Sequence, residues 1–257
     1  MLEQFTKDII LKAGEAIMQH FGSSDVLRTK ATEADIVTKA DLASQEIVVD
    51  AIKERYPEHG IISEESEGYQ TDAEYVWYLD PLDGTKNFAS GVPLFGINLA
   101  LAHKGEIIIA AINLPVMKEL VYAEKGKGVF LNNKKIECSQ KQEWRGTYGL
   151  GPVKYSEQYA KLMKAINEVS METGWVNSIA SPAVCAVWIA SGKRDWYIGP
   201  GKNSWDYAAP WLIAKEAGCE VSNFAGEEWK PGDKGIILTN KYLYPKLLEM
   251  VKTSYFK

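Results

Sequence analysis

The sequence predicts a mixed α/β protein, two subdomains forming one compact unit, with an antiparallel-rich first half and a second half in which helices and strands alternate. Three observations predict it. Up to Pro57 the chain holds two segments with apolar residues at helical spacing. From Tyr75 to Glu137, short apolar runs punctuated by Gly and Asn read as a meander of strands. Beyond that, the two periods alternate. The boundary is placed at residue 140, giving subdomains 1–140 and 141–257.

Each element has its own signal. Phe5, Ile9, Ile10, Ala13, Ile17 and Phe21 form one helical face that Gly22 ends. A polar stretch from Ser23 to Ala34 leads to a second helix from about Asp41 to Tyr56, closed by Pro57. Strands are expected at Ile61-Ile62, at Tyr75 to Leu79 with Pro81 as the stop, and at Gly96 to Ala102. The turn His103-Lys104-Gly105 then leads into Ile107 to Leu114 as a hairpin, followed by Val121 to Ala123, Val129 to Leu131 and Lys135 to Glu137. In the second half, 157–171 reads as a helix and Trp175 to Ile179 as a strand. Ser181-Pro182 has the form of an N-cap followed by proline at the first helical position, opening a helix to about Ser191. A strand at Trp196 to Ile198, a helix from Asp206 to Ala217, a strand at Ile236 to Leu238 and a final helix from Tyr242 to Val251 complete the pattern.

Composition narrows the function classes. Hydrophobic residues at 46% supply a sizeable core, and a formal charge of -5 gives no general affinity for nucleic acid or anionic membrane. No apolar run reaches membrane-spanning length, and the charged residues within the first helical segment do not make a signal peptide. Cys138, Cys185 and Cys219 lie far apart without Cys-x-x-Cys spacing, which argues for a reducing compartment and against a thiolate zinc site. A cytoplasmic protein is the expectation. His20, His59 and His103 read as surface or turn residues; Trp144, Trp175, Trp188, Trp196, Trp211 and Trp229 read as packing.

The chemistry concentrates in acids. In Trp77-Tyr-Leu-Asp80-Pro-Leu-Asp83-Gly84-Thr85-Lys86-Asn-Phe88, a strand runs into one acid and a second follows three residues on. Carboxylate oxygens at a strand end suit a hard cation such as Mg²⁺, and the carbonyl of Leu82 is a natural further ligand. The amides of Gly84 and Thr85, at the start of a short helix, suit a phosphate oxygen. Asp-Pro and Asp-Gly are also common turn pairs, so a turn role stands beside the metal role. Glu64 and Glu65 follow an apolar strand abruptly; an ordinary charged loop is the alternative for both and the preferred reading for Glu65. Asp206 and Asp41 open helices, where N-capping is the plainer explanation.

These residues carry a resemblance. Asp80-Pro-Leu-Asp-Gly-Thr-Lys-Asn-Phe88 and Trp205-Asp-Tyr-Ala-Ala209 resemble the two signature motifs of the inositol monophosphatase family, and Val37-Thr-Lys-Ala-Asp41, Ser63-Glu-Glu-Ser66 and the hairpin Gly126 to Lys135 match further blocks in order. The resemblance implies a layered αβαβα sandwich of the inositol monophosphatase and fructose bisphosphatase type, a homodimer, and a Mg²⁺-dependent, lithium-sensitive phosphatase acting on a small phosphorylated substrate. It implies Glu64, Asp80, the Leu82 carbonyl, Asp83 and Asp206 as metal ligands, and Asp41 and Thr85, with Glu64, as the catalytic group that orients or deprotonates the attacking water. It places substrate contacts at Asp83, Gly84, Thr85, Ser181, Pro182 and Asp206. Lys30 falls where the family often has a basic residue near the site, and a plain surface lysine is the alternative there.

Two departures bear on the substrate. Ala180-Ser181-Pro182 stands where many members have a run of small residues, and Pro182 has no amide to donate. The position of the family's inositol-binding acid is Gly199. Inositol 1-phosphate is the first substrate expectation, with 3'(2'),5'-bisphosphate nucleotides, sugar phosphates and histidinol phosphate as alternatives. Some relatives bind nucleic acid or polymerase, so a regulator without catalysis is the alternative of another class.

Overall fold

A computed structural model describes residues 2–23, 26–29, 36–151, 160–166, 168 and 175–255. The expectation for Lys30 lies outside the described residues, as does much of the helix expected over 157–171, of which 160–166 and 168 are described and helical.

The first half runs α1 (Leu2–His20), β1 (Val26–Thr29), β2 (Ile36–Thr38), α2 (Lys39–Arg55), β3 (Gly60–Ser63), β4 (Tyr75–Asp83), α3 (Thr85–Ala89), β5 (Gly96–His103), β6 (Glu106–Leu114), β7 (Glu119–Glu124), β8 (Gly128–Leu131) and β9 (Lys134–Lys135). The second runs β10 (Tyr148–Leu150), β11 (Trp175–Asn177), α4 (Pro182–Ala190), β12 (Trp196–Gly199), α5 (Ser204–Glu216), β13 (Glu220–Ser222), β14 (Ile236–Thr239) and α6 (Tyr244–Tyr255).

Strands β3 to β9 pair in sequence order as a seven-stranded sheet, antiparallel except for the parallel pair β3/β4. The second sheet has the order β11-β10-β12-β14-β13, and β10 runs parallel to both its neighbours. The side-chain alternation of the strands divides the apolar residues into three layers. Trp77, Leu79, Leu99 and Leu101 pack with Ile10, Ile17, Val48 and Ile52 of α1 and α2. Tyr78, Ala100, Ala110 and Ile112, on the other face, pack with α4, α5 and with Tyr197 and Leu238 of the second sheet. Trp196, Ile198 and Ile237 face Leu162, Ile166 and the α6 residues Leu247 and Val251. The succession is helices, sheet, helices, sheet, helices: an αβαβα sandwich.

Several elements differ from the sequence reading. Pro81 does not end β4, which continues to Asp83 through a register irregularity between Asp80 and Asp83. Proline lacks a ladder donor, and a bulge is where a strand tolerates that. Helix α2 starts at Lys39 with Thr38 as N-cap, and α5 starts at Ser204 with Asn203 as N-cap, so neither Asp41 nor Asp206 is the cap. Strands β1, β10 and β13 are short and had no clear pattern. His59 is no simple turn residue: its Nδ1 accepts from Trp77 Nε1 at 3.0 Å and its ring stacks between Tyr56 and Tyr75. Trp175 is 66% exposed in this chain, so it is not core packing. The β5–β6 turn agrees with expectation: Lys104 and Gly105 both have positive φ, 52° and 81°, as a two-residue hairpin turn requires. Cys138, Cys185 and Cys219 are buried free thiols, and among the described residues no helix is long and apolar enough to cross a membrane.

Helix α1 meets the first sheet through Gly14. Asn113 Nδ2 donates to the Ile10 carbonyl at 3.0 Å, and a Cβ added at Gly14 would overlap that same Asn113 amide. Alanine favours a helix interior by about 1 kcal/mol over glycine, but overpacking at a buried contact costs roughly 1–3 kcal/mol. Gly14→Ala is therefore expected to destabilise the protein; a denaturation midpoint at or above that of the wild type would show that the helix shifts freely on the sheet.

Candidate active site

The acids predicted from the sequence come together at the C-terminal ends of β3 and β4. These strands are parallel with Ser63 beside Leu79, and the Glu64 amide donates to the Leu79 carbonyl at 3.2 Å, so Glu64 follows alongside Asp80. Asp80 is buried, on the sheet face that carries Tyr78 and looks toward α4 and α5. Its Oδ1 accepts from the Leu82 amide at 3.1 Å. In a regular strand Asp83, three residues on, would point to the opposite face. The bulge re-aims it, and its Oδ2 accepts from the Ser181 hydroxyl and from the Ala183 amide at 2.7 Å, at the N-terminus of α4. Asp206 lies in the first turn of α5, where Asn203 Nδ2 donates to its Oδ2 at 3.3 Å.

Electrostatics mark this cluster. Burial pushes the Asp80 carboxyl well above the ordinary carboxylate range, and the charges of Glu64, Asp83 and Asp206 push it further. Burial likewise raises Asp83 to about 7, against the lowering effect of its bonds from Ser181 and Ala183. Among the described residues no three His, Cys, Asp or Glu side chains are grouped as a finished cation cage. The donor set nevertheless fits a hard cation: every candidate ligand is a carboxylate or carbonyl oxygen, and buried acids that repel one another need a positive partner to ionise together.

Thr85 and Asp41, the pair that the resemblance assigned to the attacking water, also come together. Thr85 Oγ1 lies 2.9 Å from the Leu82 carbonyl and 3.3 Å from Asp41 Oδ1, so its one hydroxyl proton is shared between two acceptors. Asp41 is fully buried at the third position of α2, and its Oδ2 accepts from the Thr38 amide at 2.7 Å and the Thr38 hydroxyl at 2.5 Å. Burial raises Asp41 to about 6, with the Thr38 bonds opposing and the charges of Glu65 and Glu64 adding.

Gly84 joins β4 to α3 at φ +84°, and an added Cβ would meet the Leu94 carbonyl at 3.0 Å and Ser181 Cβ at 3.2 Å. Only glycine takes that conformation without strain in so tight a space. Ser181 caps α4, its Oγ accepting from the Val184 amide at 3.3 Å, and Pro182 occupies the first turn. The amide that Pro182 lacks is supplied one residue later by Ala183.

Sequence reasoning missed the supporting contacts. Ser44 Oγ donates to the Pro81 carbonyl at 2.7 Å, Ser63 Oγ donates to Gln45 Oε1, and Asn87 Nδ2 donates to the carbonyls of Leu94 and Ile179 at 2.7 and 2.8 Å. Thr38-x-x-Asp41 is a readable capping-box pattern; the others leave no mark in sequence. At Gly199, an added Cβ would lie 2.7–2.8 Å from the Tyr197 ring and hydroxyl. Tyr197 is buried, so that position is closed to a larger side chain.

The class the molecule defines is a layered αβαβα scaffold with buried acids at the ends of its first sheet's strands. The chain belongs to the inositol monophosphatase family, whose model matches residues 1–254. A fructose-1,6-bisphosphatase/inositol-1-monophosphatase of Thermotoga maritima is 32% identical over 250 residues, covering 96% of this chain and 94% of that protein. A putative Nus factor SuhB of Neisseria meningitidis serogroup B is 34% identical over 246 residues, covering 93% and 94%. The crystal structure of the extragenic suppressor protein suhB from Bartonella henselae superimposes with a TM-score of 0.93 at 26% identity, covering 98% of each chain.

A pH dependence follows from Asp83. Its folded-state value lies above its ordinary 3.8, so its contribution to stability is full below that value and is lost as pH rises through about 7. In chelator-treated protein the melting temperature is expected to fall between about pH 4 and 7, and Asp83→Asn, which keeps an acceptor for Ser181 and Ala183, is expected to flatten that fall. An equally steep fall in the variant would remove Asp83 as its source.

Proposed function

We propose that the protein hydrolyses a small phosphomonoester with Mg²⁺ held by Glu64, Asp80, the Leu82 carbonyl, Asp83 and Asp206. The observation that supports this most directly is the burial of Asp80 and Asp83 among other acids, with the Leu82 carbonyl between them accepting from Thr85 of the Thr85–Asp41 pair. A cation held by these oxygens would supply charge neutralisation for the phosphoryl group and a more acidic attacking water. Thr85 and Asp41 orient that water in line with the leaving oxygen, and Asp41, raised to about 6, holds a proton-accepting oxygen close to neutral pH. Water adds to phosphorus, the ester P–O bond breaks, and the departing oxygen takes up a proton to give the alcohol and inorganic phosphate. Gly84 and Thr85 at the start of α3 are the proposed phosphate contacts, and Ser181 and Ala183 fix Asp83 from behind.

Inositol 1-phosphate is the first substrate of this reading. Fructose 1,6-bisphosphate is the second, favoured by the dual name of the Thermotoga relative and by Gly199, which offers no carboxylate to a polyol. The Nus-factor name of other relatives supports a separate partner-binding role, which the loss of turnover in a site variant would not abolish. A homodimer, sensitivity to Li⁺ and a cytoplasmic location belong to the same reading.

The test is phosphate release from inositol 1-phosphate, fructose 1,6-bisphosphate, adenosine 3',5'-bisphosphate and histidinol phosphate, with Mg²⁺ and with EDTA. Turnover on at least one substrate, abolished by EDTA, is expected; turnover undiminished by exhaustive chelation, or none on any substrate, would sink the reading. Asp83→Asn is expected to cut turnover by on the order of 10³, the scale of a preorganised electrostatic group in phosphoryl transfer. Near-normal turnover in that variant would make Asp83 a turn residue only.

A further inference from the structure

Asn98 sits in the middle of β5, fully buried, and neither its Oδ1 nor its Nδ2 has a hydrogen-bond partner. A carboxamide brings two donors and an acceptor, and leaving them unmet in the interior lowers stability. The surroundings make the choice of residue odder. On the same sheet face lie Ala100 and Ala102 of β5 and, across β6, Ala110, Ile112 and Leu114, all buried and apolar. On the other side, the residue directly opposite Asn98 is Asp80. Opposed residues of an antiparallel pair share a face, with Cβ atoms about 4.5–5.5 Å apart. The amide is therefore set beside a candidate cation ligand, with Ile112 as its opposite neighbour on β6.

We propose that Asn98 is a positioning residue for the cation site, donating its amide N–H to Asp80 when that acid is ionised and ligating. This rests on the reading of Glu64, Asp80, Asp83 and Asp206 as the Mg²⁺ site. A neutral donor is the suitable group for the task. It fixes the carboxylate's orientation while leaving its charge for the cation, whereas a lysine or arginine at the same place would compete with the cation for Asp80. Hydrogen bonds behind metal ligands typically contribute 10- to 100-fold in metal affinity.

The experiment compares wild type with Asn98→Leu, an apolar replacement of similar volume, and with Asn98→Ala in case leucine does not fit. The readout is the melting temperature titrated with Mg²⁺ alone, without substrate, followed by the Mg²⁺ dependence of phosphate release. Asn98→Leu is expected to melt at or above the wild-type temperature in EDTA, because an unmet amide has been removed. Its Mg²⁺ midpoint is expected to rise about 10- to 100-fold, and the turnover deficit to be overcome by raising Mg²⁺ by the same factor. A purely structural asparagine would give the reverse, a lower melting temperature and an unchanged midpoint. Unchanged Mg²⁺ midpoints in both variants, beside a wild-type shift, would overturn this role alone. A wild-type melting temperature that ignores Mg²⁺ would overturn the cation site and this role together.

Discussion

The bond between the Asp83 carboxylate and the N-terminus of α4 is the contact on which the site depends. Asp83 is the last residue of β4, and α4 begins the layer that separates the two sheets. One oxygen, Oδ2, takes both the Ser181 hydroxyl and the Ala183 amide. Anions are favoured at a helix N-terminus, so α4 stabilises the ionised form of an acid that burial otherwise holds protonated. The other oxygen of Asp83 takes neither of these bonds. Without that division burial alone would hold the carboxyl protonated, and the Asn87 amide on the Ile179 carbonyl would be left to join the two halves of the chain beside it.

Backbone geometry makes the division possible. Asp80 and Asp83 are separated by an odd number of positions, which in an uninterrupted strand sends them to opposite faces. The bulge at Pro81-Leu82 brings both to one side and frees the Leu82 carbonyl toward Thr85. Ser44 of α2 then holds the Pro81 carbonyl at 2.7 Å, so the bulge is anchored from the layer below. Gly84 completes the turn in a space where a Cβ would strike Leu94, Phe95 and Ser181. Two adjacent departures from regular strand geometry, the bulge and the left-handed Gly84, thus set Asp80 and Asp83 on one side of β4.

Much of this was legible in the sequence, and the illegible part has a physical cause. The acids, Thr85 and Gly84 stand out because their types and spacing are unusual beside an apolar run. Helix α4 was readable from Ser181-Pro182, since a cap and a first-turn proline have local causes. What could not be read were contacts made through backbone groups or through tertiary neighbours. Every residue has an amide, so nothing distinguishes Ala183 until α4 is placed against β4. Pro81 read as a strand terminator because its local effect is real; the override came from a bulge that needs no donor at that position. Strands β10 and β13 are three residues each, too short to show a period, and owe their form to pairing with β12 and β14.

Asp41 shows why a plain structural reading and a functional one need not compete. Capping was the simpler explanation for an acid at a helix start, and the acid does belong to a capping box, at the third position and not at the cap. Its two oxygens have separate employment. Oδ2 receives the Thr38 amide and hydroxyl, bonds that fix the carboxylate plane and oppose the rise caused by burial. Oδ1 is thereby turned toward Thr85 at 3.3 Å, into the space between α2 and the bulge. A carboxylate pinned by one oxygen loses little further freedom when the other binds a water or a hydroxyl, so the cap itself supplies the preorganisation that the proposed chemistry requires. The same residue type at the same helix position would be unremarked anywhere else in the chain; what distinguishes Asp41 is that its second oxygen faces a neighbour forty-four positions away.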